Sequence, residues 1–306
     1  MRYMFFINPK AGKGKLQKKI INEINQYFEK NGGDYKIFVT EYRGQATEIA
    51  AREAQIGDTI RMFACGGEGT CFEILNGTVG YNNVSIGVIP CGSANDFLKF
   101  FEKNEEFFDI AAQIEGKEVP MDIIKAGDYY CLNNCSVGMD AMVARDMKLF
   151  KGLPLVSGAL AYNLAIVKVF CQKIGITAEI SVDDGEFQKC DCLFAVVANA
   201  PYYGGGYNAA PDAVPYDSRL NFTKVDLISR IKILRFLGSY KKGDIKGLPF
   251  CTLKECESME FRSEKPIPIN LDGEIIESCA MRFEVIKGGA SFVVPTRIYD
   301  KMLIKI

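Results

Sequence analysis

The sequence contains no histidine and no tryptophan. Without histidine, Ser-His and Cys-His catalysis is excluded, and zinc sites built from cysteine and histidine are not expected. The 11 cysteines are odd in number and never form a C-x-x-C pair, so we interpret them as free thiols in a reducing cytosol. Proton transfer by this chain therefore has to rely on other groups, and carboxylates are the first candidates.

The chain also lacks a dominant charge and a long apolar run. Its 37 lysines and arginines balance 38 aspartates and glutamates, which gives no support for nucleic acid as a partner. One uncharged and largely apolar run, residues 152–167, contains proline and asparagine and falls short of the roughly 18 apolar residues of a membrane-spanning helix. The apolar start, MRYMFFI, is too short for a signal peptide. We therefore expect a cytoplasmic protein, and any contact with a membrane would be made from outside the bilayer.

Two segments between residues 59 and 101 follow the same pattern. In each, a run of strand-forming residues (Thr59–Cys65, then Ser85–Ile89) ends in a glycine-rich turn, and a helix-like segment follows (Thr70–Val79, then Ala94–Phe101). Such glycines let backbone N–H groups converge on an anion, and the next helix N-terminus adds positive partial charge. Neither turn has the spacing of a Walker A loop or a Rossmann fingerprint. Together they indicate one phosphate-binding crevice, although a plain strand-to-helix turn would explain the first segment alone.

The residues of these turns resemble a known family. GGEGTCFEILNG at residues 66–77 is similar to the GGDGT-x-x-E-x-x-NG signature of the diacylglycerol kinase catalytic domain, and PCGSANDF at 90–97 is similar to its P-x-GT-x-NDF segment. Further matches are the NP and glycine at 8–12, the GGG and proline at 204–211, and DGE at 272–274. The resemblance covers nearly the whole chain and extends to the soluble bacterial lipid kinases of the family. Two positions depart from it, because Glu68 replaces aspartate and Ser93 replaces threonine.

The resemblance implies a site for ATP and Mg²⁺. It assigns nucleotide contacts to a set of residues at strand ends and glycine-rich turns: Asn8, Pro9, Gly12, Thr40, Gly66, Gly67, Glu68, Gly69, Thr70, Gly92 and Ser93. A lone threonine at a strand end, such as Thr40, is otherwise most often a helix cap. Glu68, Asp96 and Asp122 are candidates for catalytic Mg²⁺ or its waters, because hard oxygen ligands suit that ion.

The chain divides into two regions of different pattern. Strands and helices alternate from residue 3 to 101, which predicts a mostly parallel sheet covered on both faces. From about Asp122, short strands with brief glycine-containing loops predict antiparallel pairs. By resemblance to the two-domain plan of NAD kinases and diacylglycerol kinases, the second domain is β-sandwich-like. We predict an α/β nucleotide-binding domain over residues 1–121 plus the tail at about 296–306, and a β-rich lipid-substrate domain over 122–295.

Three loops of the second region match segments of the family. The glycine-rich loop at 199–212 resembles a segment near the acceptor site. The loop VPYDSRL at 214–220 resembles a segment that holds a structural Mg²⁺ through an aspartate and two backbone carbonyls, here Asp217, Val214 and Arg219. A two-residue hairpin turn would explain the Asp-Gly of DGE by itself. The resemblance instead implies a catalytic role for Asp272 and Glu274, with Glu274 as the proton acceptor.

Two segments combine apolar and basic residues. RIKILRFLGSYKK at 230–242 has a composition that can lie on an anionic membrane surface, and it also suits an ordinary amphipathic helix that covers a sheet. Helical material at Asp140–Ile174 is either a core-packing helix with solvated lysines or a lipid-facing edge of the substrate site. Periodicity does not separate the two interpretations.

We conclude from the sequence that the chain resembles an ATP-dependent lipid kinase. The resemblance implies transfer of a phosphoryl group to diacylglycerol or a related lipid at the membrane surface, and it is compatible with a homodimer. Three alternatives remain open. A sphingoid-base or ceramide kinase differs only in its acceptor, an NAD kinase shares the first glycine motif, and a non-catalytic regulator that binds nucleotide or lipid would be consistent with Glu68.

Overall fold

The computed structural model describes residues 1–11, 16–91, 95–101, 104–151, 153, 156, 158–172 and 174–303. Within it the chain forms two compact units. Unit 1 comprises Met1–Asp122 together with Lys287–Ile306, and unit 2 comprises Ile123–Ile286. Each unit has a hydrophobic core built from its own residues.

A parallel sheet forms the centre of unit 1. Its strands are β1 (Arg2–Ile7), β2 (Asp34–Val39), β3 (Ile60–Gly66) and β4 (Val84–Pro90), in the order β4-β3-β1-β2. The end of the later strand β15 (Glu274–Val294) adds to it, since Ser291 and Phe292 run parallel to β4. Every residue of β4 is buried, as expected for a strand covered on both faces. The predicted parallel sheet is confirmed.

Helices cover the sheet of unit 1. They are α1 (Gln17–Asn31), α2 (Gln45–Ala54), α3 (Glu68–Thr78), the short α4 (Ile110–Ile114) and α8 (Thr296–Leu303), and 3-10 turns occupy Phe97–Phe100 and Asn104–Phe108. Ile20, Ile24 and Phe28 recur at helical spacing and form the buried side of α1. The Phe28 ring stacks on Tyr35 of β2, with 4.3 Å between their centroids. Aromatic contacts of this kind hold α1 against the strands.

Two elements of unit 1 differ from the prediction. Helix α3 begins at Glu68, two residues before the predicted start, so the acidic side chain lies in the first turn, where the helix dipole favours it. The predicted helix Ala94–Phe101 is wrong over its described part, because only a 3-10 turn forms at Phe97–Phe100. Phe97 and Phe101 both pack on Phe292, so packing determines this segment rather than local propensity.

Unit 2 is built mainly from antiparallel strands. They are β6 (Tyr129–Cys131), β7 (Asn134–Gly138), β8 (Ile176–Val182), β9 (Gln188–Ala198), β10 (Tyr202–Tyr203), β11 (Tyr207–Asn208), β12 (Leu220–Asp226), β13 (Cys251–Cys256) and β14 (Ser258–Leu271), while β5 (Lys117–Ala126) and β15 continue beyond the unit. The main order is β13-β12-β9-β7-β14-β15. The strands β14 and β15 are long and pair with each other, and their register shifts between Arg262 and Ile267.

Within its described residues, unit 2 contains the helices α5 (Met139–Lys151), α6 (Gly158–Cys171) and α7 (Arg230–Lys242). The helical segments predicted at 140–174 and 230–242 are thereby confirmed. Ile233, Phe236 and Tyr240 of α7 are buried in the core of the unit. Among the helices that the structure describes, none is long and apolar enough to cross a membrane.

Candidate functional site

The predicted nucleotide residues of unit 1 follow the carboxyl ends of adjacent parallel strands. Ile7 of β1 lies beside Cys65 of β3, and Gly66 of β3 lies beside Pro90 of β4. The chain after each strand stays paired with its neighbour, since the Asn8 N–H donates to the Cys65 carbonyl at 3.2 Å and the Cys91 N–H donates to the Gly66 carbonyl at 3.2 Å. The structure therefore brings the Asn8 loop, the GGEGT turn and the start of the second glycine turn to one sheet edge.

The first two glycines of GGEGT have different roles. A Cβ on Gly66 would lie 2.4 Å from the hydroxyl oxygen of Thr70, so close packing at the strand end requires glycine there. Gly67 is the N-cap of α3 and has an extended backbone, φ −106° and ψ −166°, which any residue can adopt. Its lack of a side chain is therefore not explained by backbone strain. A bare N-cap leaves the positive end of α3 open to an anion.

Asn8 and Thr40 stabilise the loop that follows β1. The side-chain oxygen of Asn8 accepts a hydrogen bond from the Lys10 N–H at 2.9 Å, which closes the turn that contains Pro9. Both the N–H and the hydroxyl of Thr40 donate to the Ile7 carbonyl, at 3.0 and 3.3 Å. Gly12, Gly92 and Ser93 lie outside the described residues, so their roles stay predictions.

Glu68 connects the two glycine-rich turns. Its Oε1 accepts a hydrogen bond from the Asp96 N–H at 3.0 Å, and Asp96 Oδ1 pairs with the Lys99 ammonium at 2.5 Å. Asp96 is buried, so the ion pair with Lys99 compensates its charge in the interior. The glutamate side chain at position 68 therefore reaches from the start of α3 to the loop after β4, where its carboxylate accepts this hydrogen bond.

The three candidate carboxylates for magnesium do not form one donor set. Asp122 is buried and its Oδ1 accepts the Gly288 N–H at 2.7 Å, while Glu68 and Asp96 make the contacts just described. Within the described part of the chain, no three histidine, cysteine, aspartate or glutamate side chains are grouped as metal ligands. A resident Mg²⁺ does not fit these residues. The Mg²⁺ of a kinase reaction can instead arrive with the phosphates of its nucleotide substrate.

The residues that follow GGEGT in the GGEGTCFEILNG segment hold two helices together, a role that sequence reasoning missed. The Glu73 carboxylate accepts the Ala46 N–H at 3.2 Å in the first turn of α2, and the Glu73 carbonyl accepts the Thr47 hydroxyl at 2.9 Å. A Cβ on Gly77 would lie 2.5 Å from the Thr47 carbonyl oxygen. These residues bring α2 and α3 into backbone contact and so support the turn from behind.

We expect Gly77→Ala to lower the free energy of unfolding by about 1–3 kcal/mol, because the added methyl group forces α2 and α3 apart. Urea denaturation measures the change. Gly238→Ala is the matched control, since Gly238 is also helical but has no atom within 4 Å of an added Cβ. That control should be neutral or slightly stabilising, and equal stability of both variants would contradict the packing role.

In unit 2, the DGE segment is a two-residue hairpin turn. Leu271 of β14 pairs with Glu274 of β15, and Asp272 and Gly273 both have positive φ, 48° and 88°. The Gly273 N–H donates to the side-chain oxygen of Asn270 at 2.8 Å. The two-residue hairpin turn that Asp-Gly alone would explain is therefore the observed structure, and any catalytic role of this segment has to be compatible with that turn.

The two carboxylates of DGE have different surroundings. Asp272 is buried and accepts three backbone N–H groups, from Leu132 at 2.6 Å, Asn133 at 3.2 Å and Asn134 at 2.8 Å. Burial raises the pKa of Asp272 to about 6, although the three donors act to lower it. Glu274 is only partly buried. Asp272 thus anchors the turn to the segment before β7, and Glu274 is the more accessible base.

The loop at 214–219 forms a tight turn of its own. The Val214 carbonyl accepts the N–H groups of Tyr216 and Asp217, and Asp217 Oδ1 accepts the Arg219 N–H at 2.9 Å. Ser218 has φ 66°, a left-handed conformation that glycine adopts more readily than serine. One exposed carboxylate and a carbonyl already engaged in the turn do not constitute a Mg²⁺ site, so the structural magnesium stays a prediction.

A buried polar cluster lies beside the glycine-rich loop, and sequence reasoning did not find it. The Tyr203 hydroxyl donates to Asp140 Oδ2 at 3.1 Å and lies 2.7 Å from the Tyr240 hydroxyl. Burial raises the pKa of Asp140 to about 6. The next residues, Gly204, Gly205 and Gly206, all have positive φ. The cluster fixes one end of a loop whose conformation requires glycine.

Two models of known protein families match successive parts of the chain. Residues 2–126 match the model of the diacylglycerol kinase catalytic domain, and residues 133–293 match that of the YegS C-terminal NAD kinase beta sandwich-like domain. The predicted fold class, an α/β domain followed by a β-sandwich-like domain, is confirmed.

Individual relatives are similar over most of their length. A diacylglycerol kinase of Bacillus subtilis is 27% identical over 89% of this chain and 89% of its own, and one of Staphylococcus saprophyticus is 26% identical over 89% and 88%. A crystal structure of a diacylglycerol kinase from Bacillus anthracis has a TM-score of 0.68 at 19% identity, covering 97% of this chain and 98% of that one. This structural likeness supports the fold alone.

Proposed function

The chain belongs to the lipid kinases that join a diacylglycerol kinase catalytic domain to a YegS C-terminal domain, and on that premise we propose that it transfers the γ-phosphoryl group of ATP to the hydroxyl of diacylglycerol or a related lipid. The family makes the chain an enzyme, a lipid kinase of the diacylglycerol kinase type. The nucleotide, the acceptor and the residues that act on them belong to the proposal.

The GGEGT turn carries the proposal for ATP. Phosphoryl transfer depends mainly on holding the phosphates in line and on stabilising their charge. Gly67 leaves the N-terminus of α3 bare, and Asn8 and Cys91 attach the neighbouring loops to the same strand end. We assign the phosphates to the backbone of Gly66, Gly67, Gly69 and Thr70, completed by Gly92 and Ser93, with Asn8, Pro9, Gly12 and Thr40 in the remaining nucleotide site.

The carboxylates of unit 1 support this cradle. Glu68 holds the loop after β4 through the Asp96 N–H, and Asp96 is itself neutralised by Lys99. Mg²⁺ enters as part of the MgATP substrate, and it supplies charge neutralisation at the β- and γ-phosphates. Glu68, Asp96 and Asp122 stay candidates for contacts to that substrate-bound ion or its waters.

Glu274 is the proposed proton acceptor. The lipid hydroxyl oxygen forms a bond to the γ-phosphorus, the bond from that phosphorus to the β–γ bridging oxygen breaks, and ADP leaves with the electron pair. The hydroxyl proton passes to the Glu274 carboxylate. Asp272, which accepts three backbone N–H groups, acts as the positioning residue that fixes the turn carrying Glu274.

The acceptor is tested by a panel of lipids. We expect the purified protein with labelled ATP to phosphorylate diacylglycerol with a kcat/KM at least about tenfold above that for ceramide or sphingosine, a ratio that modest pocket differences provide. Thin-layer chromatography of the lipid phase identifies each product. A preference for ceramide or sphingosine would show that the acceptor is a sphingoid-type lipid and not diacylglycerol, and the proposed kinase reaction would still hold.

A further inference from the structure

Helix α7 presents two opposite kinds of face. Ile233, Phe236 and Tyr240 are buried in the core of unit 2. On the other side, Ile231 and Leu234 are 67% and 61% exposed, and Leu227 just before the helix is 45% exposed. Large aliphatic side chains three residues apart lie on one helix face. The outer side of α7 therefore carries an apolar patch that no part of the described unit covers.

Positive charge surrounds this patch. Residues 227–243 contain no aspartate or glutamate and five cationic residues, all of them exposed: Arg230, Lys232, Arg235, Lys241 and Lys242. The whole chain is close to neutral, so the concentration of one sign on α7 is local. Exposed aliphatic residues flanked by lysine and arginine are the composition of helices that lie in the interface of an anionic bilayer.

The helix is held rigidly with this face outward. The Arg230 guanidinium donates to the carbonyls of Phe170 and Gln172 at the end of α6, at 3.0 and 2.9 Å. At the other end, Gly243 closes the helix with φ 81°. Val167 of α6, one helical turn before Phe170, is 60% exposed, so the helix that Arg230 joins to α7 also carries an exposed apolar side chain.

The inner side of α7 contacts the glycine-rich loop. The Tyr240 hydroxyl lies 2.7 Å from that of Tyr203, which directly precedes the three glycines. A Cβ on Gly243 would lie 2.7 Å from the side-chain amide nitrogen of Asn208, on the far side of the same loop. One helix thus joins the apolar and basic outer surface to the loop that resembles the family's acceptor segment.

We propose that the outer face of α7 is a membrane-docking surface that binds anionic phospholipid bilayers. Ile231 and Leu234 enter the headgroup boundary, and the cationic residues pair with lipid phosphates. A second copy of this chain is the less suitable occupant, because two such faces would oppose like charges. The claim that the docked membrane also supplies the acceptor lipid rests on the proposed function, whereas the claim that α7 docks on a membrane does not.

Vesicle co-sedimentation of the purified protein tests the proposal. We expect binding to phosphatidylcholine vesicles that contain phosphatidylglycerol, weaker binding to phosphatidylcholine alone, and loss of binding as salt screens the charges. The double variant Ile231→Asp/Leu234→Asp should bind at least about tenfold more weakly, because two apolar side chains no longer enter the interface. Ile56→Asp is the matched control, since Ile56 is 57% exposed on unit 1, and it should bind like the wild type.

Three results would overturn the proposal. They are equal binding by the double variant and the wild type, no preference for anionic vesicles, and a dimer in sedimentation equilibrium that the double variant abolishes without a change in vesicle binding. Activity on short-chain diacylglycerol dispersed in water separates this proposal from the proposed function. If the double variant phosphorylates this dispersed substrate but does not bind vesicles, the docking proposal is supported. If the wild type binds vesicles but is inactive on diacylglycerol, the docking proposal still holds and the proposed diacylglycerol kinase function is contradicted.

Discussion

Gly67→Val is expected to weaken ATP binding by at least about 100-fold, the effect of losing two charge-assisted hydrogen bonds, while the protein stays folded. The φ and ψ of Gly67 suit valine, so the substitution introduces no backbone strain. Its side chain would stand at the N-cap of α3, where the phosphates must approach the backbone. Calorimetric titration with MgATP measures the affinity, and thermal unfolding measures the fold.

Two other glycines serve as controls for this prediction. Gly238→Val adds a side chain to a position with no atom within 4 Å of a Cβ, and it should bind ATP like the wild type. Gly66→Val should lower stability itself, because its Cβ would meet the Thr70 hydroxyl at 2.4 Å. Unchanged ATP affinity in a folded Gly67→Val variant would show that this turn is not the phosphate cradle.

Glu274→Gln should lower kcat by about 10²–10⁴-fold with little change in ATP affinity, since the amide keeps the shape of the side chain and removes its basicity. A base is needed at this step, and the chain has no histidine to provide one. Because the transition state of phosphoryl transfer is loose, the hydroxyl proton is transferred late. We therefore expect the loss of kcat to lie toward the lower end of this range. Steady-state kinetics on diacylglycerol, with ATP varied, measure both quantities.

Asp272→Asn separates catalysis from anchoring. The buried carboxylate accepts three backbone N–H groups, and an amide presents a single acceptor oxygen to them. We expect a loss of at least about 2 kcal/mol in the free energy of unfolding, whereas Glu274→Gln should unfold like the wild type. If Asp272→Asn is fully stable but inactive, Asp272 and not Glu274 is the base. If both variants are fully active, the segment is only a hairpin turn and has no catalytic role.

The general arrangement of unit 1 was predictable from its sequence pattern. Buried strands that alternate with amphipathic helices specify a parallel sheet, and in such a sheet the residues after Ile7, Gly66 and Pro90 necessarily reach one edge. The position of α7 was predictable for a similar reason, because its apolar residues repeat at helical spacing between Ser229 and Gly243. These features depend on short stretches of sequence.

The features that were missed depend on contacts between distant residues. Asp272 accepts the Asn133 N–H across 139 residues, and Tyr203 donates to Asp140 across 63. Nothing near either residue in the sequence indicates its partner. The start of α3 at Glu68 was missed because glycine propensity favours a turn, whereas the Asp96 N–H and the packing of α2 favour the helix. The 3-10 turn at Phe97–Phe100 follows likewise from packing on Phe292.

Transfer of the labelled γ-phosphate of ATP in a single mixture of diacylglycerol and NAD tests the central claim most directly. We expect the label in the lipid phase as phosphorylated diacylglycerol, at a rate that Gly67→Val abolishes. Label in the NAD fraction, or ATP binding with no transfer to either acceptor, would contradict a lipid kinase reaction at these residues.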